Sequence, residues 1–159
     1  MSKPKIYLDT SIISAYFDLR KPVRQMMTQK WFRHELKDLT PYASTLVIEE
    51  IGAHPDESIK RAMLDLIDRN EVRILEISED ILKIAASYRK DVIPKEINDS
   101  IHLATAAHYR LDAVVSWNFK HIVNLKTIKA IHEINRQKGL AQVEIVSIEN
   151  LGGDKYGSL

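Results

Sequence analysis

The chain opens with an unbroken apolar run, Ile6-Tyr7-Leu8, closed by Asp9. A short continuous run of this kind predicts a strand buried on both faces over residues 5–9. The spacing then turns helical. Thr10 or Ser11 can cap a helix over residues 12–18. Pro22 starts a second one, whose stripe of Val23, Met26, Met27 and Trp31 is read as core. Residues 41–44 predict the next strand, and Ser44 or Thr45 caps a helix carrying Leu46, Val47, Glu49, Glu50 and Ile51, ended by Gly52, His54 and Pro55. Asp56 caps a helix with Ile59, Met63, Leu66 and Ile67 on one side. Residues 72–77 predict a third strand. Ser78 opens a helix with Ile81, Ile84, Ala85 and Tyr88 inward, which Pro94 ends.

The following helix opens at Ile97-Asn98-Asp99. Asn98 is its expected cap, and Asp99 in the first turn faces the positive end of the helix dipole. Ile101, Ala104, Thr105 and His108 share one face, and the small residues let the helix lie close to a sheet. Residues 112–116 predict a fourth strand. Thr127 is expected to cap a helix burying Ile128 and Ile131 and stopped by Gly139. Residues 143–148 predict a fifth strand. Strands alternating with helices mean a parallel sheet with helices on both faces, an α/β three-layer architecture. The expected organisation is one domain over residues 1–150 and a C-terminal tail over 151–159.

Composition narrows the class. A chain of 159 residues, 45% hydrophobic and 28% charged, is that of an ordinary globule with a sizeable core. No stretch approaches the roughly twenty apolar residues of a membrane span, and the first residues lack the shape of a signal peptide. With no cysteine there is neither a disulfide framework nor a thiolate metal site, and a cytoplasmic home is expected. Net charge is only +1, but it is unevenly spread. Residues 19–37 carry Arg20, Lys21, Arg24, Lys30, Arg33 and Lys37 against Glu35 alone. Residues 120–138 carry Lys120, Lys126, Lys129, Arg136 and Lys138 against Glu133 alone. Two basic segments flanking an acidic centre over residues 49–80 can form a polyanion track or simply solvated helix faces.

Three acids occupy similar places: Asp9 after the first strand, Glu49 or Glu50 in the helix after the second, and Asp99 at the start of a late helix. Asn118 follows the fourth strand. In a parallel sheet these strand ends lie on one edge, where open α/β folds bind ligands. Clustered carboxylates repel unless a cation neutralises them, and hard oxygen donors favour Mg²⁺ or Mn²⁺ over zinc. Such a site can activate water and stabilise charge on a phosphoryl group.

The runs Tyr7-Leu-Asp-Thr-Ser-Ile-Ile13, Ser44-Thr-Leu-Val-Ile-Glu-Glu-Ile51, Asn98-Asp-Ser-Ile-His-Leu-Ala-Thr-Ala106 and Val114-Val-Ser-Trp-Asn-Phe-Lys-His121 resemble the PIN domain. Within that family they look most like the VapC-type toxins of bacterial and archaeal toxin–antitoxin pairs. Residues 134–139 leading into 143–146 fit the same pattern, so the resemblance spans nearly the whole chain. It implies a five-stranded, mostly parallel sheet between helices and a Mg²⁺- or Mn²⁺-dependent ribonuclease. Carried over residue by residue, the family's acids fall on Asp9, Glu50 and Asp99 as metal ligands. Glu49 lies about 100° away around the helix. The hydroxyl beside the first acid matches Thr10 or Ser11. Many members carry an aspartate where this chain has Asn118, and some a further acid where it has His121. Asn118 is therefore expected to support the ion's hydration through its amide oxygen, and His121 to contact phosphate. The implied partners are an RNA substrate, a small cognate antitoxin and a second copy of the chain in a homodimer.

Two other readings stand beside this one. A PIN fold with a weakened site would bind RNA or protein without turnover. A phosphatase using Asp9 as nucleophile would place a second acid two residues on, where this chain has Ser11. Trp117 is read as packing before base stacking, and His102 and His108 as structural.

Overall fold

The computed structural model describes residues 2–93 and 96–151. Pro94, the expected helix stop, and tail residues 152–159 lie outside them. The strands are β1 (Lys5–Leu8), β2 (Thr40–Ser44), β3 (Arg73–Leu75), β4 (Ala113–Val115) and β5 (Glu144–Val146), all parallel in the order β3-β2-β1-β4-β5. The helices are α1 (Thr10–Ala15), α2 (Pro22–His34), α3 (Thr45–Gly52), α4 (Glu57–Arg69), α5 (Glu79–Asp91), α6 (Ile97–His108), α7 (Leu125–Lys138) and α8 (Ile148–Leu151). The five-stranded parallel sheet between helices is the expected fold.

Chain direction sets the layers. Strands β1, β2 and β3 step one way across the sheet, and the crossover to β4 then returns past β1 and steps the other way. Right-handed crossovers put α1–α4 on one face and α5–α7 on the other. Accordingly α1 packs with α2, α3 and α4, whereas α5 packs with α6 and α7. Strand β1 is the centre. Ile6, Tyr7 and Leu8 are fully buried, as a strand covered on both faces requires. On α6, Ala104, Ala106 and Ala107 are buried, so small side chains do bring this helix close to the sheet.

Several local expectations shift. Helix α1 starts at Thr10, with Asp9 itself at the N-cap position and extended, so Thr10 and Ser11 lie inside the helix. Ser44 stands at the N-cap of α3 without bonding the helix amides. Helix α6 starts at Ile97 after Glu96, so Asn98 is inside it and caps nothing. The cap of α7 is Asn124, whose side chain accepts from the Thr127 amide. Asp56, Ser78 and Gly139 end their helices as expected, Gly139 in the left-handed region at φ 67°. The α2 stripe splits. Trp31 and Phe32 are buried, but Val23 and Met26 face outward at 66% and 53% exposure. Thr28 takes their place inward, fully buried.

Candidate functional site

The sheet order reverses at β1, between β2 on one side and β4 on the other, and a crevice opens at the carboxyl ends of strands at such a point. Asp9 leaves β1 there and Ser116 leaves β4, the two strands running in register at Leu8 and Val115. Asp9 is buried, 3% exposed. Ser11 Oγ donates to its Oδ1 and Ser116 Oγ to its Oδ2, each at 2.5 Å. The direction of both bonds is set from behind. The Trp117 amide donates into Ser11 Oγ and the Asn118 amide into Ser116 Oγ, each at 2.9 Å, so both hydroxyl protons point at Asp9. Burial raises the Asp9 carboxyl above its ordinary range despite the His102 imidazole and the two hydroxyls.

Asp99, in the first turn of α6, accepts from Asn118 Nδ2 at 3.2 Å. The Asn118 oxygen faces elsewhere, accepting the His121 amide at 3.0 Å. The amide group is thereby oriented with its donor, rather than its oxygen, toward the acids. The oxygen expected to support an ion is engaged by backbone. Burial pushes Asp99 up to about 6; the His102 imidazole opposes this, and the charges of Asp9 and Glu96 add to it.

Glu50 is set differently. Thr10 Oγ1 and His102 Nε2 both reach its Oε1 at 2.7 Å, and Asn98 Nδ2 lies 3.4 Å from Oε2. A carboxylate only accepts, so Nε2 carries a proton. His102 Nδ1 meets the Tyr7 hydroxyl at 2.5 Å, and that hydroxyl meets Ser44 Oγ at 2.8 Å. The chain Ser44–Tyr7–His102–Glu50 thus runs from the sheet interior to the rim. Burial raises Glu50, but the bonds from His102, Thr10 and Asn98 outweigh it and hold the carboxyl below its ordinary value. Glu49 is exposed and joins none of this.

The remaining candidates are placed as follows. His121 Nε2 lies 3.3 Å from Glu96 Oε1, which engages the ring expected to meet phosphate. Trp117 is buried, with Nε1 donating to Thr28 Oγ1 at 2.9 Å, and is closed to a base. His108 stands edge-on to Tyr109. Tyr7, Ser44, Ser116 and Glu96 were missed, and so was the bridging place of His102. A signal existed for His102, which follows Asp99 by three residues and so shares its helix face. None existed for Ser116, whose position depends on β4 pairing with β1.

A family model for the PIN domain matches residues 6–120, from β1 through the turn after β4. The chain belongs to the PIN domain family. A search of curated proteins returned no match. Among solved structures, a chain of VapBC2 from Rickettsia felis, bound to a DNA fragment from its promoter, aligns with TM-score 0.54 at 13% identity, over 90% of this chain and 98% of that one. A toxin–antitoxin complex from Klebsiella pneumoniae aligns with TM-score 0.54 at 23% identity, over 77% and 93%. VapC20 from Mycobacterium tuberculosis, a toxin that cleaves the sarcin–ricin loop, aligns with TM-score 0.57 at 13% identity, over 87% and 98%. These likenesses are of fold.

Does this PIN domain suit a divalent ion? No three His, Asp or Glu side chains gather as a cage among the described residues. Mg²⁺ does not ask for one, since it keeps several waters and takes one or two carboxylates. Asp9 and Asp99 are such a pair, hard oxygen donors whose mutual repulsion a cation relieves. The donor set fits. Among the described residues no helix is long and apolar enough to cross a membrane.

Proposed function

We propose that this PIN-domain protein is a Mg²⁺- or Mn²⁺-dependent endoribonuclease, the toxin of a toxin–antitoxin pair. The observation that carries the proposal is the pair of acids at the sheet's reversal point, Asp9 buried and Asp99 half-buried, both raised above their ordinary range with no cationic side chain bonded to either among the described residues. Asp9 and Asp99 would hold the ion, and Glu50 would stand at the rim beside it, engaged by Thr10 and His102. When bound, the ion supplies a Lewis acid and a water of lowered pKa. Ser11 and Ser116 keep both Asp9 oxygens in one orientation, and Asn118 does the same for Asp99. Glu50, kept ionised by His102, accepts a proton or orients the attacking water, giving 5′-phosphate and 3′-hydroxyl ends. The fold likeness to VapBC chains, to a toxin–antitoxin complex and to a toxin that cleaves the sarcin–ricin loop supports an RNA substrate and a small antitoxin partner. The homodimer rests on the family resemblance of the sequence alone.

Asn118 favours a second reading, a binding module without turnover, because an amide stands where many relatives carry an acid. Calorimetric titration of Mn²⁺ into the wild type and Asp9→Asn, followed by assay on a mixed RNA pool, separates the two. Binding and cleavage in the wild type, both lost in the variant, are expected. RNA affinity that survives chelation, without cleavage, would establish the binding module.

A further inference from the structure

Beside the acids lies a cavity of about 480 Å³ lined by Ser11, Asn118, Lys21, Arg24, Phe119 and Lys120 among others. Two of these residues belong to the acid cluster, since Ser11 bonds Asp9 and Asn118 bonds Asp99. The rest come from the two basic segments that lie far apart in sequence. Lys21 and Arg24 belong to the first and Lys120 to the second, and the fold brings them to one wall. None of the three forms an ion pair among the described residues. The acid lining the cavity, Asp18, is held at 3.0 Å by Arg20. Phe119 is 42% exposed, and the Arg24 guanidinium lies 5.7 Å from its ring centre and 4.9 Å from that of Trp117. With Trp117 buried, Phe119 is the aromatic face left open in this wall.

We infer that this cavity is a subsite for the nucleotide adjoining the scissile phosphodiester of single-stranded RNA, a refinement that rests on the nuclease reading above. Phe119 stacks on the base, Arg24 braces the ring by its cation–π contact, and Lys21 and Lys120 meet the flanking phosphates. The volume lies within the range of small-ligand sites. Unpaired cations favour phosphate over an apolar peptide segment. Stacking on Phe119 needs an unpaired base, so the subsite selects single strands over duplex.

The test is anisotropy of a fluorescein-labelled mixed RNA pool, single-stranded and annealed, in EDTA, with Mn²⁺ affinity, thermal midpoint and Mn²⁺-dependent cleavage measured on the same proteins. Expected for Phe119→Ala is roughly tenfold weaker single-strand binding, with Phe119→Tyr close to wild type. Arg24→Gln weakens single-strand binding by removing the cation that braces the Phe119 ring. Mn²⁺ affinity and thermal midpoint stay unchanged in all three. Wild-type affinity in Phe119→Ala and Arg24→Gln, equal losses on duplex and single strand, or no RNA binding by the wild type each overturns the subsite. Cleavage by the wild type alongside unaltered variant affinities removes the subsite alone; the absence of both Mn²⁺ binding and cleavage in the wild type removes the nuclease reading as well.

Discussion

Asp9 and Glu50 stand at the same sheet edge, each bonded by a hydroxyl from α1, yet their charges are treated in opposite ways. Asp9 receives neutral donors only and is raised by burial, as is its neighbour Asp99. Glu50 receives an imidazole and is lowered. Hydroxyls alone fix direction at Asp9, whereas the bond and electrostatics of the His102 imidazole also favour the ionised form of Glu50. The inner pair is thereby left with a deficit that an ion can fill, and the rim acid stays ionised without one. Carboxylates that look equivalent as a motif are divided by what lies behind them.

Ion binding separates the two acids most strongly. Asp9→Asn is expected to weaken Mn²⁺ binding by about 100-fold or more, close to 2.7 kcal/mol. Glu50→Gln is expected to weaken it about tenfold, within the range for groups that orient ligands. Calorimetry on both variants reads the ratio. Equal losses would erase the distinction between inner pair and rim.

Stability separates them by a smaller margin. His102→Ala leaves Glu50 without its imidazole and the buried Tyr7 hydroxyl with Ser44 alone, at a cost of about 2 kcal/mol. Tyr7→Phe cuts the same chain one link deeper and costs about 1 kcal/mol, with Glu50 still paired. Urea unfolding of the metal-free protein reads both, and a smaller loss for His102→Ala than for Tyr7→Phe would mean that the rim pair contributes nothing.

The pH dependence follows from Asp99 at about 6 against an ordinary value near 3.8. Between these values the native state holds a proton that the unfolded chain has released. Metal-free stability is therefore highest below the ordinary value, falls as pH rises through about 6, and stays low above it. Mn²⁺ restores it, and its apparent affinity drops about tenfold per pH unit below 6 as protons compete. Thermal midpoints from pH 4 to 8 should lose this slope in large part in Asp99→Asn. An unchanged slope would assign it to Asp9, raised in the same direction.

How much of this was legible in the chain depends on distance. The apolar run at β1, the Asp56 and Ser78 caps and the Gly139 stop are local signals, and each survives in the fold. Where a polar residue had a stronger distant partner, local reading failed. Asn98 points at Glu50, Ser44 at Tyr7 and Ser11 at Asp9, so none caps a helix by its side chain. Val23 and Met26 kept helical spacing yet lie outward, because Thr28 sits inward to receive Trp117. The acids were readable as a motif, but the hydroxyl from β4 and the imidazole that separate their charges were not. The first depends on β4 pairing with β1, 107 residues separating Ser116 from Asp9, and the second on α6 meeting α3, 52 residues separating His102 from Glu50.

Asn118→Asp tests the smallest step, the departure from the family pattern. One oxygen of the new carboxylate can keep the His121 amide bond, and the other then faces Asp99 where an N–H now donates. A donor that favoured the ionised Asp99 is exchanged for a like charge, so metal-free stability above pH 6 falls. A bound cation meets one more negative group, and Mn²⁺ affinity rises several-fold, up to about tenfold. Opposite changes in stability and affinity from one substitution are the signature of a charge deficit at the inner pair. If affinity falls along with stability, the Asn118 amide serves to position Asp99, and the acid found in other members acts through geometry rather than charge.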